Sequence, residues 1–327
     1  MKISNRQALL IIFVIALVIG FYSWRRKAPS WSGQDLHANL ELIESKDNPG
    51  KPGQDLELLM VGDMGSGDKN QAAIAAAMNT YCQTHPLVAI IFLGDNFYPK
   101  GVASPDDPQW QSKFIEPYGT DCLGKLPFYA MLGNHDYKGN PSAQIAYRGH
   151  SPAWHMPHRF YDLRVGKLLQ LTVIDTNLLD ICGFDQFCTI DFMLASLAKS
   201  EATYTIVTGH HPIASASGKY SQTMQGKILE SLLCDRARYY VAGHSHHLEH
   251  RTSAHCPLDL FIVGGGGASL YETKKDQKTS KFVKSSFGFL SVKANPDHLT
   301  FAFYDEHLEK LYSVQHAAGE AAGSGGE

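Results

Sequence analysis

The chain has 327 residues, 44% of them hydrophobic and 19% charged, which is ordinary for a globular protein and long enough to bury a substantial core. Its formal charge of −3 supplies no broad basic field, which argues against a nucleic-acid partner.

Gln7 to Trp24 carries no charge and is mostly Leu, Ile, Val, Ala and Phe. At about 1.5 Å per residue it is just long enough to cross a bilayer core. Phe21-Tyr22-Ser23-Trp24 is a poor cleavage site because it lacks the small residues that signal peptidase accepts. Residues 1–27 are therefore predicted to be a membrane anchor or an uncleaved signal. Lys2 and Arg6 before the segment nearly balance Arg25, Arg26 and Lys27 after it, so charge alone does not orient it. Residues 28–55 are polar, contain Pro29, Pro52, Gly50 and Gly53, and read as a linker.

Leu56–Val61 is a short apolar run ending at Gly62-Asp63 and reads as a strand. An Ala-rich helix is expected over Lys69–Cys82. Leu87–Leu93 is continuously apolar, as in a strand buried on both faces, and ends at Gly94-Asp95. A helix over Gln109–Tyr118 and a strand over Leu126–Leu132 follow. Residues 137–159 read as a long loop. Phe160–Val165 and Leu168–Ile174 flank Gly166-Lys167 as a hairpin. Helices are expected at Phe187–Lys199 and Thr223–Leu233, and strands at Tyr204–Thr208, Tyr239–Ala242 and Leu260–Val263. Phe287–Val292, Leu299–Phe303 and Leu311–Val314 alternate as antiparallel strands. The catalytic domain is placed at 56–316, and 317–327 as a disordered tail of Ala, Gly, Ser and Glu.

Five words along this path put Asp, Asn or His beside glycine: Gly62-Asp63, Gly94-Asp95-Asn96-Phe97-Tyr98, Gly133-Asn134-His135-Asp136, Gly209-His210-His211-Pro212 and Gly243-His244-Ser245-His246. A Gly-Asp pair alone is usually a turn. The ordered set is different, because the intervals Asp63–Asp95, Asp95–Asn134 and His210–His244 each fit a strand-helix-strand unit. Successive donors then fall at one edge of a sheet. Enough oxygen and nitrogen donors converge to hold two metal ions side by side, the usual arrangement for displacement at phosphorus.

These words resemble the calcineurin-like metallophosphoesterases. Gly94-Asp95-Asn96-Phe97-Tyr98 more narrowly resembles the purple acid phosphatases of the small, tartrate-resistant type. Gly101-Val102, Gln144-Ile145-Ala146-Tyr147, Trp154 with Pro157, and Phe160-Tyr161 extend the likeness across residues 56 to 270. The resemblance implies an α/β fold, a four-layer αββα sandwich of two mixed sheets flanked by helices. It implies hydrolysis of phosphate monoesters with a metal-bound hydroxide as nucleophile. One metal would take Asp63, Tyr98 and His246, the other Asn134, His210 and His244, with Asp95 between them. A phenolate and carboxylates suit Fe(III), while Asn and imidazoles suit Fe(II), Zn(II) or Mn(II). His135 is placed to protonate the leaving group, Asp136 to orient an imidazole, and His211 and Tyr220 to support the site or meet substrate.

One departure stands out. Related phosphatases often carry a further His in Ser-Gly-x-His form, whereas this chain reads Ser217-Gly218-Lys219-Tyr220. His150, His155 and His158 are read as solvated loop histidines, and Gly264–Gly267 as a close backbone approach to the metal end of a strand. A phosphodiesterase or nucleotide hydrolase on the same fold is the alternative activity. A silent binding module is disfavoured because every donor position is filled. A small phosphorylated substrate, a monomer and no nucleic acid complete the expectation.

Six cysteines follow the targeting segment, an even number that suits an oxidising compartment. No Asn-x-Ser/Thr acceptor occurs. The protein is expected to be extracytoplasmic, membrane-anchored or secreted, with a bacterial periplasm or envelope favoured. Cys82 and Cys122 each precede a strand that ends at a donor, so they share the opposite edge and are the first candidate bridge. Cys234 with Cys256 and Cys182 with Cys188 are the next.

Overall fold

A computed structural model describes residues 40–43, 55–177, 186–218, 223–274 and 278–319. In chain order the main elements are β1 (Leu40–Ile43), β2 (Leu56–Val61), α1 (Lys69–Thr84), β3 (Ala89–Phe92), β4 (Phe128–Ala130), α2 (Pro141–Ala146), β5 (Trp154–His155), β6 (Tyr161–Val165), β7 (Leu169–Val173) and α3 (Gln186–Lys199). They continue with β8 (Tyr204–Thr208), α4 (Met224–Leu233), β9 (Tyr239–Ala242), β10 (Leu248–Thr252), β11 (Asp259–Val263), β12 (Ser280–Lys284), β13 (Phe289–Ala294), β14 (His298–Tyr304) and β15 (Lys310–Ala317).

The strands form two mixed sheets, one of eight in the order β1-β6-β7-β8-β9-β11-β10-β12 and one of seven in the order β15-β14-β13-β2-β3-β4-β5. Side chains alternate across β2, and the alternation builds the layers. Leu58 and Met60 join Leu171, Ile206, Val241 and Phe301 in the core between the sheets. Leu59 and Val61 face the other way, against Ile74 and Met78 of α1. Met193 of α3 and Leu229 and Leu233 of α4 cover Val207 and Tyr240 on the outer face of the eight-stranded sheet. The predicted αββα sandwich is thus the observed one. Glu57, buried in β2, is held by Tyr81 Oη at 2.6 Å and Ser291 Oγ at 2.5 Å.

Register aligns the donors. Val61, Phe92 and Ala130 stand in one row across the parallel strands β2, β3 and β4, and Thr208 pairs with Val241 across β8 and β9. Asp63, Asp95, Asn134, His210 and His244 each lie a few residues past those rows, at the strands' carboxyl ends, where open α/β sheets bind ligands. The two sheets also close on each other there. Gly62 N donates to Val263 O at 2.9 Å and Gly266 N to Gly62 O at 3.0 Å. The Gly264–Gly267 run therefore serves close backbone approach, as read.

Opposite the donors, Cys82 is bridged to Cys122 and Cys234 to Cys256, with Cα atoms 6.0 and 5.6 Å apart. The suggested Cys182–Cys188 bridge includes a position outside the described residues. The whole Gln7–Trp24 segment and most of the 317–327 tail also lie outside the described residues. Among the described residues no helix is long and apolar enough to cross a membrane.

Three readings need correction. Within the expected linker, Leu40–Ile43 forms β1 and pairs in parallel with β6, so this piece belongs to the sheet. The expected loop at 137–159 contains α2 and β5. Strands β10 and β12 were not read. In β10, Leu-Glu-His-Arg-Thr looks like loop because its charges are answered inside the fold: Glu249 by His247 and Arg251, and His250 by Asp259 at 2.8 Å.

Candidate metal centre

Each donor rides on a turn that leaves a strand abruptly. Asp63, Asp95 and His244 hold φ of 60°, 53° and 65°, a left-handed conformation uncommon outside glycine and concentrated at functional sites. Gly94 has φ 89°, and a Cβ on it would lie 2.6 Å from His210 Nδ1. Only glycine lets Asp95 and His210 approach this way.

The side chains converge in two clusters. In the first, Tyr98 Oη lies 2.9 Å from Asp63 Oδ1, 2.9 Å from Asp95 Oδ2 and 3.1 Å from His246 Nε2. In the second, Asn134 Oδ1 lies 2.9 Å from His244 Nδ1 and 3.2 Å from His210 Nε2, and the two imidazole nitrogens are 3.2 Å apart. Asp95 faces both clusters, since its other oxygen, Oδ1, is 3.5 Å from His210 Nε2. Around an ion with bonds of about 2.0–2.2 Å, neighbouring donors lie about 3.0–3.5 Å apart. The observed separations match the edges of such shells.

Proton bookkeeping tests whether metal ions fit. His210 Nδ1 lies 2.8 Å from Leu93 O, and His246 Nδ1 lies 2.7 Å from Ser269 O. A carbonyl only accepts, so each Nδ1 carries the hydrogen, and each Nε2, when the ring is neutral, turns a lone pair into the site. Those Nε2 atoms face carboxylate, phenol and amide oxygens. A cation satisfies such a set, and the fixed tautomers are those that metal-binding histidines adopt.

Among the protein groups themselves the demand for positive charge is visible in the ionisation. Burial, then the charges of Asp63 and Asp95, push the Tyr98 phenol far above its ordinary value. Burial opposes an imidazolium at His210, but Asp95 outweighs it and lifts the group to about 9. Burial and then His210 hold His244 well below the usual range. One proton on His210 answers part of the need, whereas bound cations answer it for every donor at once.

The remaining expected residues sit as follows. His135 donates its backbone N–H to Asp95 Oδ1 at 2.7 Å, while its ring packs 4.3 Å from that of Tyr98, with Nδ1 2.7 Å from Pro99 O. Asp136 does not orient an imidazole. It is fully buried and accepts from Gly133 N at 2.8 Å, Asn96 N at 3.1 Å and Gln144 Nε2 at 2.8 Å, which ties two donor loops together. Burial, and next the Asp95 charge, push its carboxyl up. His211 is buried beside His244, with ring centroids 4.5 Å apart and Nδ1 2.9 Å from Thr176 Oγ1. Its donor atom lies within 4.8 Å of those of His210 and His244. Tyr220 and Lys219 lie outside the described residues.

His150, His155 and His158 join neither cluster; His150 is 3.7 Å from Asp106 Oδ1 and partly exposed. Sequence reasoning missed Tyr271, which stacks on His246 at 4.2 Å, and Thr176. It also gave no role to Lys138, beside His135. None of these sits beside a glycine at the end of a read strand, so no local signal marked them. Gln144 stood in the quoted likeness without a role.

The calcineurin-like phosphoesterase family matches residues 56–248. Purple acid phosphatase 4 of Arabidopsis thaliana is 30% identical over 85% of this chain and 87% of its own length. Tartrate-resistant acid phosphatase type 5 of Sus scrofa is 25% identical over 80% and 86%. Among solved structures, GAP50, described as the anchor in the inner membrane complex of Plasmodium, superposes with a TM-score of 0.72 at 23% identity, covering 82% of this chain and 90% of that one. A purple acid phosphatase from yellow lupin gives a TM-score of 0.64 at 18% identity, covering 82% and 55%. These two likenesses bear on the fold. The chain belongs to the calcineurin-like phosphoesterases and, among them, to the purple acid phosphatases.

Proposed function

We propose that this chain hydrolyses phosphate monoesters at a binuclear metal centre held by Asp63, Asp95, Tyr98, Asn134, His210, His244 and His246. The observation that carries the reading is the pair of imidazole Nε2 atoms, at His210 and His246, aimed into clusters of oxygen donors while each Nδ1 is tied to a backbone carbonyl. Two bound cations would clamp the attacking and leaving oxygens of an in-line displacement and acidify water.

The chain's own residues do the rest. Asp95 turns one oxygen to each cluster and sets their spacing. Asp63, Tyr98 and His246 present three donors suited to a hard ion, and we assign Fe(III) there. Asn134, His210 and His244 suit Fe(II), Zn(II) or Mn(II). His135 is held through Nδ1–H to Pro99 O, so Nε2 is the nitrogen that would give a proton to the departing alkoxide. Asp136 and Gln144 fix the loops that carry Asp95 and Asn134.

The two disulfides and the apolar Gln7–Trp24 segment support an extracytoplasmic, membrane-attached protein. The test is metal analysis of purified protein followed by a panel of phosphate mono- and diesters. The reading requires two metals per chain and turnover of monoesters in preference to diesters. Preference for diesters would replace it.

A further inference from the structure

Lys138 has no part in either donor cluster. It ends the short 3-10 turn Asp136–Lys138 that follows Asn134 and His135, and its side chain is exposed. The turn is well anchored. Asp136 is buried among backbone N–H donors, Tyr137 Oη donates to Asp175, and Lys138 N donates to His135 O at 3.1 Å. The backbone therefore delivers the lysine to one place.

That place is the outer side of His135. Lys138 Nζ is 3.3 Å from Nδ1 and 3.3 Å from Nε2 of the imidazole. Equal separations put the ammonium over the ring face, not at the end of either lone pair, so this contact leaves the ammonium's N–H groups open to a stronger acceptor. Among the described residues no carboxylate pairs with it. Arg159, by contrast, packs 5.9 Å from the Tyr137 ring and has the Asp175 carboxylate near enough to offset its charge.

With metals held as proposed, the order outward would be the transferred phosphoryl group, His135 at the leaving oxygen, then Lys138 beside the His135 ring. A charge at Lys138 acts on atoms beyond the scissile bond. An alcohol leaving group presents nothing there that needs a cation. A leaving group that is itself a phosphate presents negative oxygens at that distance, and a fixed cation both binds it and stabilises the charge it gains on departure.

We propose that Lys138 selects phosphoanhydride substrates, those whose leaving group is an anionic phosphate, by contacting an oxygen of that departing group. This rests on the phosphatase reading above. The reaction balances with water alone. Water oxygen bonds to phosphorus and the bridging P–O bond breaks. Its electron pair leaves on the departing phosphate. One hydrogen of the water stays on the transferred phosphate, and the other goes to the departing group or to solvent.

The test compares inorganic pyrophosphate with glycerol 2-phosphate on the metal-loaded full chain. A charge-assisted contact corresponds to roughly 10–100-fold. Lys138→Met should lower kcat/KM for pyrophosphate by about that factor, change glycerol 2-phosphate by less than about threefold, and leave metal content unaltered. Lys138→Arg should restore most of the pyrophosphate rate. Calorimetric affinity for imidodiphosphate, whose P–N bridge resists hydrolysis, should fall in Lys138→Met and return in Lys138→Arg. Equal losses on both substrates, or unchanged imidodiphosphate affinity, would overturn the assignment. A wild-type protein inert toward glycerol 2-phosphate would instead sink the monoesterase reading, and the imidodiphosphate measurement would still decide Lys138.

Discussion

Around Tyr98, three of the four gathered donors are oxygens: the phenol, Asp63 Oδ1 and Asp95 Oδ2, with His246 Nε2 the fourth. Around Asn134 the amide oxygen and Asp95 Oδ1 meet two imidazoles, and a third imidazole, His211, stands behind them. Both clusters hang on equivalent strand ends and share Asp95, so the backbone does not distinguish them. Side-chain chemistry does. In the proposed centre, the oxygen-rich cluster would suit a highly charged ion and the imidazole-rich one a softer ion. Asymmetry of this kind would let each ion take its own task while one carboxylate set their separation.

The largest effects should come from the shared residue. Asp95→Ala is expected to release both metals and abolish monoester turnover, as read by metal content and phosphate release. Asp63→Ala should empty the Tyr98 side first and leave the other ion in place. Loss of a single metal from Asp95→Ala would show that the carboxylate belongs to one cluster alone.

His135→Ala should come next. Metals should stay and turnover should fall by about 10²–10⁴-fold, the range of a positioned general acid. The deficit should shrink on aryl phosphates, whose leaving groups need little protonation. Equal deficits on alkyl and aryl esters would mean that His135 binds phosphate and donates no proton.

The disulfide edge supplies a contrast in kind. The Cys82–Cys122 and Cys234–Cys256 bridges span 40 and 22 residues. Loop closure of this length corresponds to about 3–4 kcal/mol each. Replacing either pair by serine should lower the unfolding free energy by up to that amount while metal stoichiometry under native conditions holds. Metal loss without global unfolding would tie the two edges together more closely than the fold suggests.

The smallest effect is expected at His211. Held by Thr176 and set behind His244, it should tolerate Phe with both metals retained and turnover reduced less than about tenfold. Loss of the divalent ion from His211→Phe would make it a ligand.

Asp63, Asp95, Asn134, His210 and His244 were legible in the sequence because each closely follows an apolar run and sits beside glycine, and Gly62, Gly94 and Gly133 are explained by their close approach to neighbouring chain. The bridges were legible from the same topology, since cysteines placed before adjacent strands share an edge. Strand β10 was not, because its Glu249, His250 and Arg251 also meet groups distant in the chain: Ala216 N, Tyr312 Oη and Thr279 Oγ1. Asp136 was misread for a related reason. Its position beside the ligand loop suggested an imidazole partner, but burial aims it at backbone N–H groups of two loops at once. Lys138 and Tyr271 reach His135 and His246 through the packing of whole loops, which no local pattern records.

The visible spectrum of the purified protein tests the asymmetry most directly. The oxygen-rich cluster should give a violet to pink colour from phenolate-to-Fe(III) charge transfer, and Tyr98→Phe should bleach it while the fold and most of the bound metal remain. A colourless wild-type protein, fully active with zinc or manganese alone, would contradict the assignment of Fe(III) to Asp63, Tyr98 and His246.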